Sequence, residues 1–292
     1  MLVDLSKYEQ YVDLTAGTMR YVEAGAGGDH LLLVHGMGVN TSLETFQWVI
    51  EPFAEAGLHV YALDMLGFGK SRRLKNAATF DVIVDSIREF MDRKSIDSAY
   101  YAGHSAGGWW GGILAYESPQ RLRKFVMVTS AGLDAEPVAN VHNYTPPTLD
   151  SMKRQVFERY KSVYPGSALT PAMGEALAKQ MLEFGAMPGA YEALKPLVAQ
   201  MADPVTRSQY LLHRRLPYIE VPTMAVWSTP ESKEPYPTWT AEWDKIGGDP
   251  RKSSKPWVIP GARYVLLKDR AYNPQWEAPD EFVGLLMAFF KG

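Results

Sequence analysis

There is no cysteine anywhere in the 292 residues. That excludes disulfides, thiolate metal sites and a cysteine nucleophile together, and it fits a cytoplasmic protein without requiring one. No apolar stretch approaches the roughly 18 residues of a membrane helix. The opening Met1-Leu2-Val3-Asp4-Leu5-Ser6-Lys7 lacks the charged-then-apolar layout of a signal peptide. Charge of one sign is lacking too: 30 Lys and Arg stand against 33 Asp and Glu, a formal net charge of −3. Nothing here invites nucleic acid or an anionic membrane surface as partner. The expectation is a soluble, cytoplasmic chain acting on a small molecule, with homo-oligomerisation left open. Internal repeats, low-complexity tracts, a Rossmann glycine fingerprint, a phosphate loop and metal-ligand spacing are also missing, so neither cofactor nor metal is expected.

What is present is an alternation. Leu31-Leu32-Leu33-Val34 is a continuous apolar run ending at His35-Gly36, and His59 to Asp64 is a second, ending in Gly67-Phe68-Gly69. Such runs suit strands buried on both faces of a parallel sheet. Helical spacing occupies Phe46 to Ala56 and Asp81 to Met91; Ala99 to Ala102 leads into Gly103, Gly107 to Tyr116 is helical, and Phe125 to Val128 is a strand. Met224 to Trp227 and Tyr264 to Leu267 are the last strands, and Glu281 to Phe290 the closing helix. Strict strand–helix alternation predicts an α/β fold, a mostly parallel, doubly wound sheet with right-handed crossovers. From Asp134 the rhythm breaks. The proline-punctuated stretch holds helical patterns at Ser151 to Tyr160 and Pro171 to Phe184 and no strand. It predicts a helical cap, residues 134–216, inserted into a core of residues 1–133 and 217–292, over the strand ends where open sheets bind ligands.

The strongest chemical signal is Gly103-His104-Ser105-Ala106-Gly107. A strand turning sharply into a helix puts the serine at a strained apex, and small neighbours let the two elements approach. A buried-strand run precedes it and a helical run follows, so Ser105 is the candidate nucleophile. His35-Gly36-Met37-Gly38 is a glycine-rich turn at a strand end; by position the Met37 and Ala106 amides are candidate oxyanion donors, of a kind worth about 3–4 kcal/mol each.

His35 to Gly38, then Asp64-Met65-Leu66-Gly67-Phe68-Gly69-Lys70-Ser71, then Gly103 to Gly108 resemble the successive landmarks of the α/β-hydrolase superfamily. The cap exit, Arg215-Leu216-Pro217-Tyr218-Ile219-Glu220-Val221-Pro222-Thr223, and the tail from Pro274 to Phe282 are similar to its meta-cleavage-product (C–C bond) hydrolases. The resemblance implies the α/β-hydrolase fold and a triad. Its acid position, four residues past a tryptophan, falls on Glu231 in Trp227-Ser228-Thr229-Pro230-Glu231. Ser228 and Pro230 depart from the family pattern there, and a solvated loop carboxylate is the competing reading of Glu231. The family histidine falls on Tyr272, in Asp269-Arg270-Ala271-Tyr272-Asn273.

That last departure matters chemically. The histidine takes the serine proton and returns it to the leaving group. An ordinary tyrosine has a pKa of about 10, so a phenolate at pH 7 costs roughly 4 kcal/mol. Tyr272 therefore carries a depressed pKa, serves as a hydrogen-bond donor, or does nothing catalytic. The six histidines stand at 30, 35, 59, 104, 142 and 213, all before the cap's end. His35 and His104 sit inside the glycine motifs, while His142 and His213 lie in the cap and are candidates to reach the site. Arg215, with Arg214, can hold a substrate carboxylate or be a solvated helix end. Gly36, His142, His213, Arg215 and Trp276 complete the candidate substrate-binding set. The cap methionines Met152, Met173, Met181, Met187 and Met201 fit an adaptable apolar wall as well as plain helix packing.

Three functions remain open on this reading. One is hydrolysis of a small, largely apolar ester, lactone, amide or diketone through Ser105. The second is a lyase, isomerase or cyclase using Tyr272 as donor. The third is a ligand-binding or inactive relative.

Overall fold

Leu31 and Leu33 pack into one apolar layer of the protein and Leu32 and Val34 into another, as side-chain alternation along a doubly covered strand requires. The computed structural model that places them describes residues 1–71, 73–74, 78–132, 145–229, 259–268 and 270–292. The strands are β1 (Glu9–Asp13), β2 (Gly17–Ala24), β3 (Asp29–Val34), β4 (Leu58–Leu63), β5 (Arg73–Leu74), β6 (Ala99–His104), β7 (Leu122–Val128), β8 (Thr223–Thr229) and β9 (Arg263–Lys268). The helices are α1 (Ile50–Glu55), α2 (Phe80–Arg93), α3 (Ala106–Glu117), α4 (Leu149–Arg154), α5 (Pro171–Gly185), α6 (Ala190–Ala202), α7 (Pro204–Tyr210), α8 (Pro274–Glu277) and α9 (Pro279–Lys291).

The sheet order is β1-β2-β4-β3-β6-β7-β8-β9, with β5 also pairing with β2. Every neighbouring pair from β4 to β9 is parallel, and β2 joins β1, β4 and β5 antiparallel. This is the α/β-hydrolase arrangement expected above, with one addition. The antiparallel margin at β1 and β2 has no counterpart in the alternation, because β1 is an edge strand exposed along much of its length. The order in which strands are added reverses at β3: β4 lies on one side of it and β6 on the other, all three parallel. That switch opens a crevice beyond the carboxyl ends of β3 and β6, where ligands bind in open sheets.

Between β7 and β8 the described residues hold helices and no strand. Two of the prolines here start helices, whereas Pro196 lies inside α6. Pro171 and Pro204 take the first turn, and the Thr170 and Asp203 side chains accept the N–H groups of Met173 and Thr206, as helix entry favours. Two helical expectations change in detail. The stretch from Phe46 to Ala56 divides into a 3-10 turn, Leu43–Phe46, and α1. The stretch from Ser151 to Tyr160 is α4 followed by a π turn, Gln155–Arg159. Met152, Val156, Leu169, Leu177, Ala178 and Met181 form the inserted segment's own apolar cluster, which includes Trp276 from α8. Among the described residues no helix is long and apolar enough to cross a membrane.

Candidate active site

Ser105 sits between β6 and α3 with φ 55° and ψ −119°, a backbone region that L-residues occupy only where the surroundings impose it. Backbone hydrogen bonds hold it there. Its N–H donates to Val128 O at 2.9 Å, and its carbonyl accepts from Gly108 N at 3.1 Å and Ala131 N at 3.0 Å. Gly36 is forced by the same closeness, since a Cβ there would lie 2.9 Å from the Ser105 Cβ. The turn after β3 and the serine are thus in contact, and both line a cavity of about 1000 Å³. Met37, Ala106, His104, Trp109, Tyr272 and Trp276 line it as well. Ala106 opens α3, where a backbone N–H has no intrahelical acceptor.

The histidines beside the serine are buried and engaged. His35 Nε2 accepts the Met65 N–H at 3.0 Å, which leaves Nδ1 to donate to Gly36 O at 2.6 Å. His104 Nε2 donates to Tyr272 O at 3.2 Å. Burial lowers both imidazoles to about 4, against smaller opposing effects of these backbone hydrogen bonds. Both are therefore neutral near pH 7, and both anchor backbone.

The loop carrying Tyr272 is held on every side. Besides His104, Thr129 Oγ1 donates to Tyr272 O at 3.2 Å. The Ala271 carbonyl accepts from Ser228 Oγ, so a residue that departs from the family pattern has a role in tying β8 to this loop. The Tyr272 ring stands edge-on to His104 (centroids 4.8 Å, 71°) and stacks on Tyr160 (4.8 Å, 23°). Tyr160 follows the π turn, which also turns Gln155, Glu158 and Arg159 toward the cavity; such turns recur at functional sites. Trp276 Nε1 donates to Thr45 O at 2.7 Å, fixing that indole in the wall.

The sequence-derived set is thus only partly assembled. Ser105, Gly36, Met37, Ala106, Tyr272 and Trp276 meet at one cavity. Arg215 does not join them. Its guanidinium lies 5.6 Å from the Tyr116 ring and donates to Leu211 O at 3.1 Å, near the far end of α3, away from the residues that line the cavity. Glu231 and His142 lie outside the described residues, as does the side chain of His213.

Sequence reasoning missed two features. Arg207, on α7, is buried in the cavity wall. Beneath the turn, buried Arg20 pairs with Asp64 at 3.0 Å and with Glu44, another cavity residue, at 2.8 Å. Asp64 in turn accepts the Leu43 N–H at 2.6 Å and the Lys70 N–H at 2.8 Å, which fixes the 3-10 turn forming one side of the cavity.

Cavity, strained serine and glycine turn together define a hydrolase-type site at a parallel-sheet switch point. The family model for the alpha/beta hydrolase fold matches residues 29–263, and the chain belongs to that family as a hydrolase-like enzyme. It is 31% identical over 129 residues to a dihydrolipoyllysine-residue acetyltransferase component of the acetoin cleaving system of Cupriavidus necator, a match covering 44% of this chain and 34% of that one. The chain thus spans about a third of that relative's length. It is 25% identical over 301 residues to a 2-hydroxy-6-oxononadienedioate/2-hydroxy-6-oxononatrienedioate hydrolase of Burkholderia vietnamiensis, covering 98% of this chain and 96% of that one. Among solved structures, the 2-hydroxy-6-oxo-6-phenylhexa-2,4-dienoate hydrolase of Rhodococcus sp. strain RHA1 superposes with a TM-score of 0.76 at 19% identity, covering 97% and 98% of the two chains.

Proposed function

We propose that the protein hydrolyses a small, largely apolar ester, lactone, amide or diketone C–C bond, with Ser105 as nucleophile and an atypical triad. The observation that carries this is the strained serine in one cavity with Gly36, Met37, Ala106 and Tyr272. On this reading the serine oxygen attacks the carbonyl carbon as its proton passes to Tyr272, acting as phenolate. The Met37 and Ala106 amides meet the oxyanion. The proton then passes to the leaving group, and water repeats the sequence to release the acid. Glu231 is the proposed acid behind Tyr272. The relatives named as hydrolases of 2-hydroxy-6-oxo acids support including C–C bonds among the substrates, and Arg207 lines the same cavity, a guanidinium being a residue that recognises carboxylates.

A second reading has one specific observation in its favour. His35 and His104 are both committed to backbone partners, and among the described residues lining the cavity the other titratable rings are the phenols of Tyr160 and Tyr272. A neutral phenol polarises a carbonyl or steadies an enolate, as a non-hydrolytic lyase, isomerase or cyclase needs. The two readings separate on turnover of short-chain p-nitrophenyl esters. Hydrolysis rising toward alkaline pH, and lost in Ser105→Ala, is the outcome expected of a phenolate-driven hydrolase. Turnover identical in wild type and Ser105→Ala would end it.

A further inference from the structure

Glu277 closes α8 and is 1% exposed. One carboxylate oxygen accepts the Ala271 N–H at 2.5 Å and the Tyr164 hydroxyl at 3.4 Å. The other accepts the Asn273 N–H at 3.0 Å and the Ser162 hydroxyl at 2.9 Å. The Glu277 carbonyl accepts the Ala168 N–H at 2.8 Å. Its partners therefore come from two places. Ala271 and Asn273 flank Tyr272, whereas Ser162, Tyr164 and Ala168 belong to the segment inserted between β7 and β8.

We infer that Glu277 is the positioning residue for Tyr272, holding the amides on either side of it and docking the inserted helical segment onto the same loop. The claim rests on the reading that Tyr272 serves the chemistry at Ser105. Its physical basis is a count of acceptors. Four donors converge on one ionised carboxylate, which has acceptor sites for all of them. An amide in its place presents an N–H₂ toward one pair of those donors, so one backbone N–H beside Tyr272 loses its partner. Displacing a reacting group by about 1 Å can cost on the order of 100-fold in rate.

Protonation makes the same change reversibly. Burial raises the Glu277 carboxyl to about 7, outweighing its four hydrogen bonds. The groups facing it among the described residues are Tyr164, pushed up to about 12 chiefly by burial, and Arg270 beyond it. Arg270 hydrogen-bonds Tyr164 and pairs with Glu281 at 2.7 Å. Below about pH 7 one oxygen of Glu277 carries a proton and faces donors, so the grip on residues 271–273 weakens as pH falls.

The test measures Ser105 labelling by a fluorophosphonate from pH 5.5 to 9, with amide hydrogen exchange at Ala271 and Asn273, in wild type, Glu277→Gln and Ser162→Ala. The expected result for Glu277→Gln is labelling about 100-fold slower at pH 8, loss of the step near pH 7, and faster exchange at both amides. Ser162→Ala should move both readouts the same way by less, and it carries the test if the glutamine variant does not fold. Wild-type exchange rates in the variants would overturn the inference. So would faster exchange with an unchanged labelling rate and pH profile. If wild type is never labelled, the hydrolytic reading fails separately, and the exchange rates alone sustain or overturn the positioning role.

Discussion

Tyr272→His is expected to raise ester turnover at pH 7 by about 100-fold over wild type. A phenol of ordinary pKa, about 10, offers roughly one phenolate per thousand molecules at pH 7, whereas an imidazole near 6.5 is mostly in its basic form. The phenolate is the stronger base, which returns part of that thousandfold difference to the wild type. The pocket suits the exchange. The ring lies against His104 edge-on and against Tyr160 face-on, each with centroid 4.8 Å away, and a smaller planar ring keeps both contacts. The loop is held through backbone atoms at the Tyr272 carbonyl and the amides of Ala271 and Asn273, and the substitution leaves these backbone anchors in place. Rate against pH is the measurement. The variant should level off above about pH 7, where imidazole is neutral, while wild type keeps rising. A folded variant with no gain at any pH would mean that position 272 does not serve the serine. Gain in the variant with no activity at all in wild type would favour the non-hydrolytic reading, on an intact hydrolase scaffold.

What could be seen in the sequence divides along a physical line. The elbow was legible because its constraints are local: a strand, a strained residue and a helix must meet within five consecutive positions, and only small residues permit it. The parallel strands were legible because burial on both faces leaves unbroken apolar runs such as Leu31 to Val34. β1 left a weaker trace, since an exposed edge strand needs no such run. Glu277 is legible in the sequence only as part of the tail pattern from Pro274 to Phe282. Its partners Ser162 and Tyr164 lie more than a hundred positions away, and no local spacing encodes that meeting. The same holds for Arg20, whose partners Glu44 and Asp64 come from two other elements. Arg215 shows the opposite case. It is near the inserted helices in sequence, but the 3-10 turns after α7 carry it to Tyr116. Tyr272 stands out in the sequence because a histidine belongs at its place, while its contacts with His104 and Tyr160 join residues far apart along the chain.

Gly107→Ala should leave little or no folded protein, with a loss of about 4 kcal/mol or more in urea unfolding. A Cβ on Gly107 would overlap the Val34 carbonyl oxygen and lie 2.7 Å from the His35 carbonyl oxygen and 2.8 Å from the Val34 carbonyl carbon. These are backbone atoms at the end of β3, in the centre of the sheet, and no side-chain rotation relieves them. β3 cannot retreat, because it is paired on one side with β4 and on the other with β6. Nor can α3 lift away. Its carbonyl at Gly107 accepts the buried Tyr101 hydroxyl at 2.7 Å, and Trp110 and Leu114 are fully buried further along it. Overpacking at an adaptable core site typically costs 1–3 kcal/mol; here both sides of the contact are fixed, so the cost should exceed that range. The closeness that forbids the methyl is the closeness that brings the turn after β3 against Ser105. A variant that folded with ordinary stability would show that β3 and α3 can separate, and the proposed oxyanion donors, Met37 on one and Ala106 on the other, would then lack a fixed spacing.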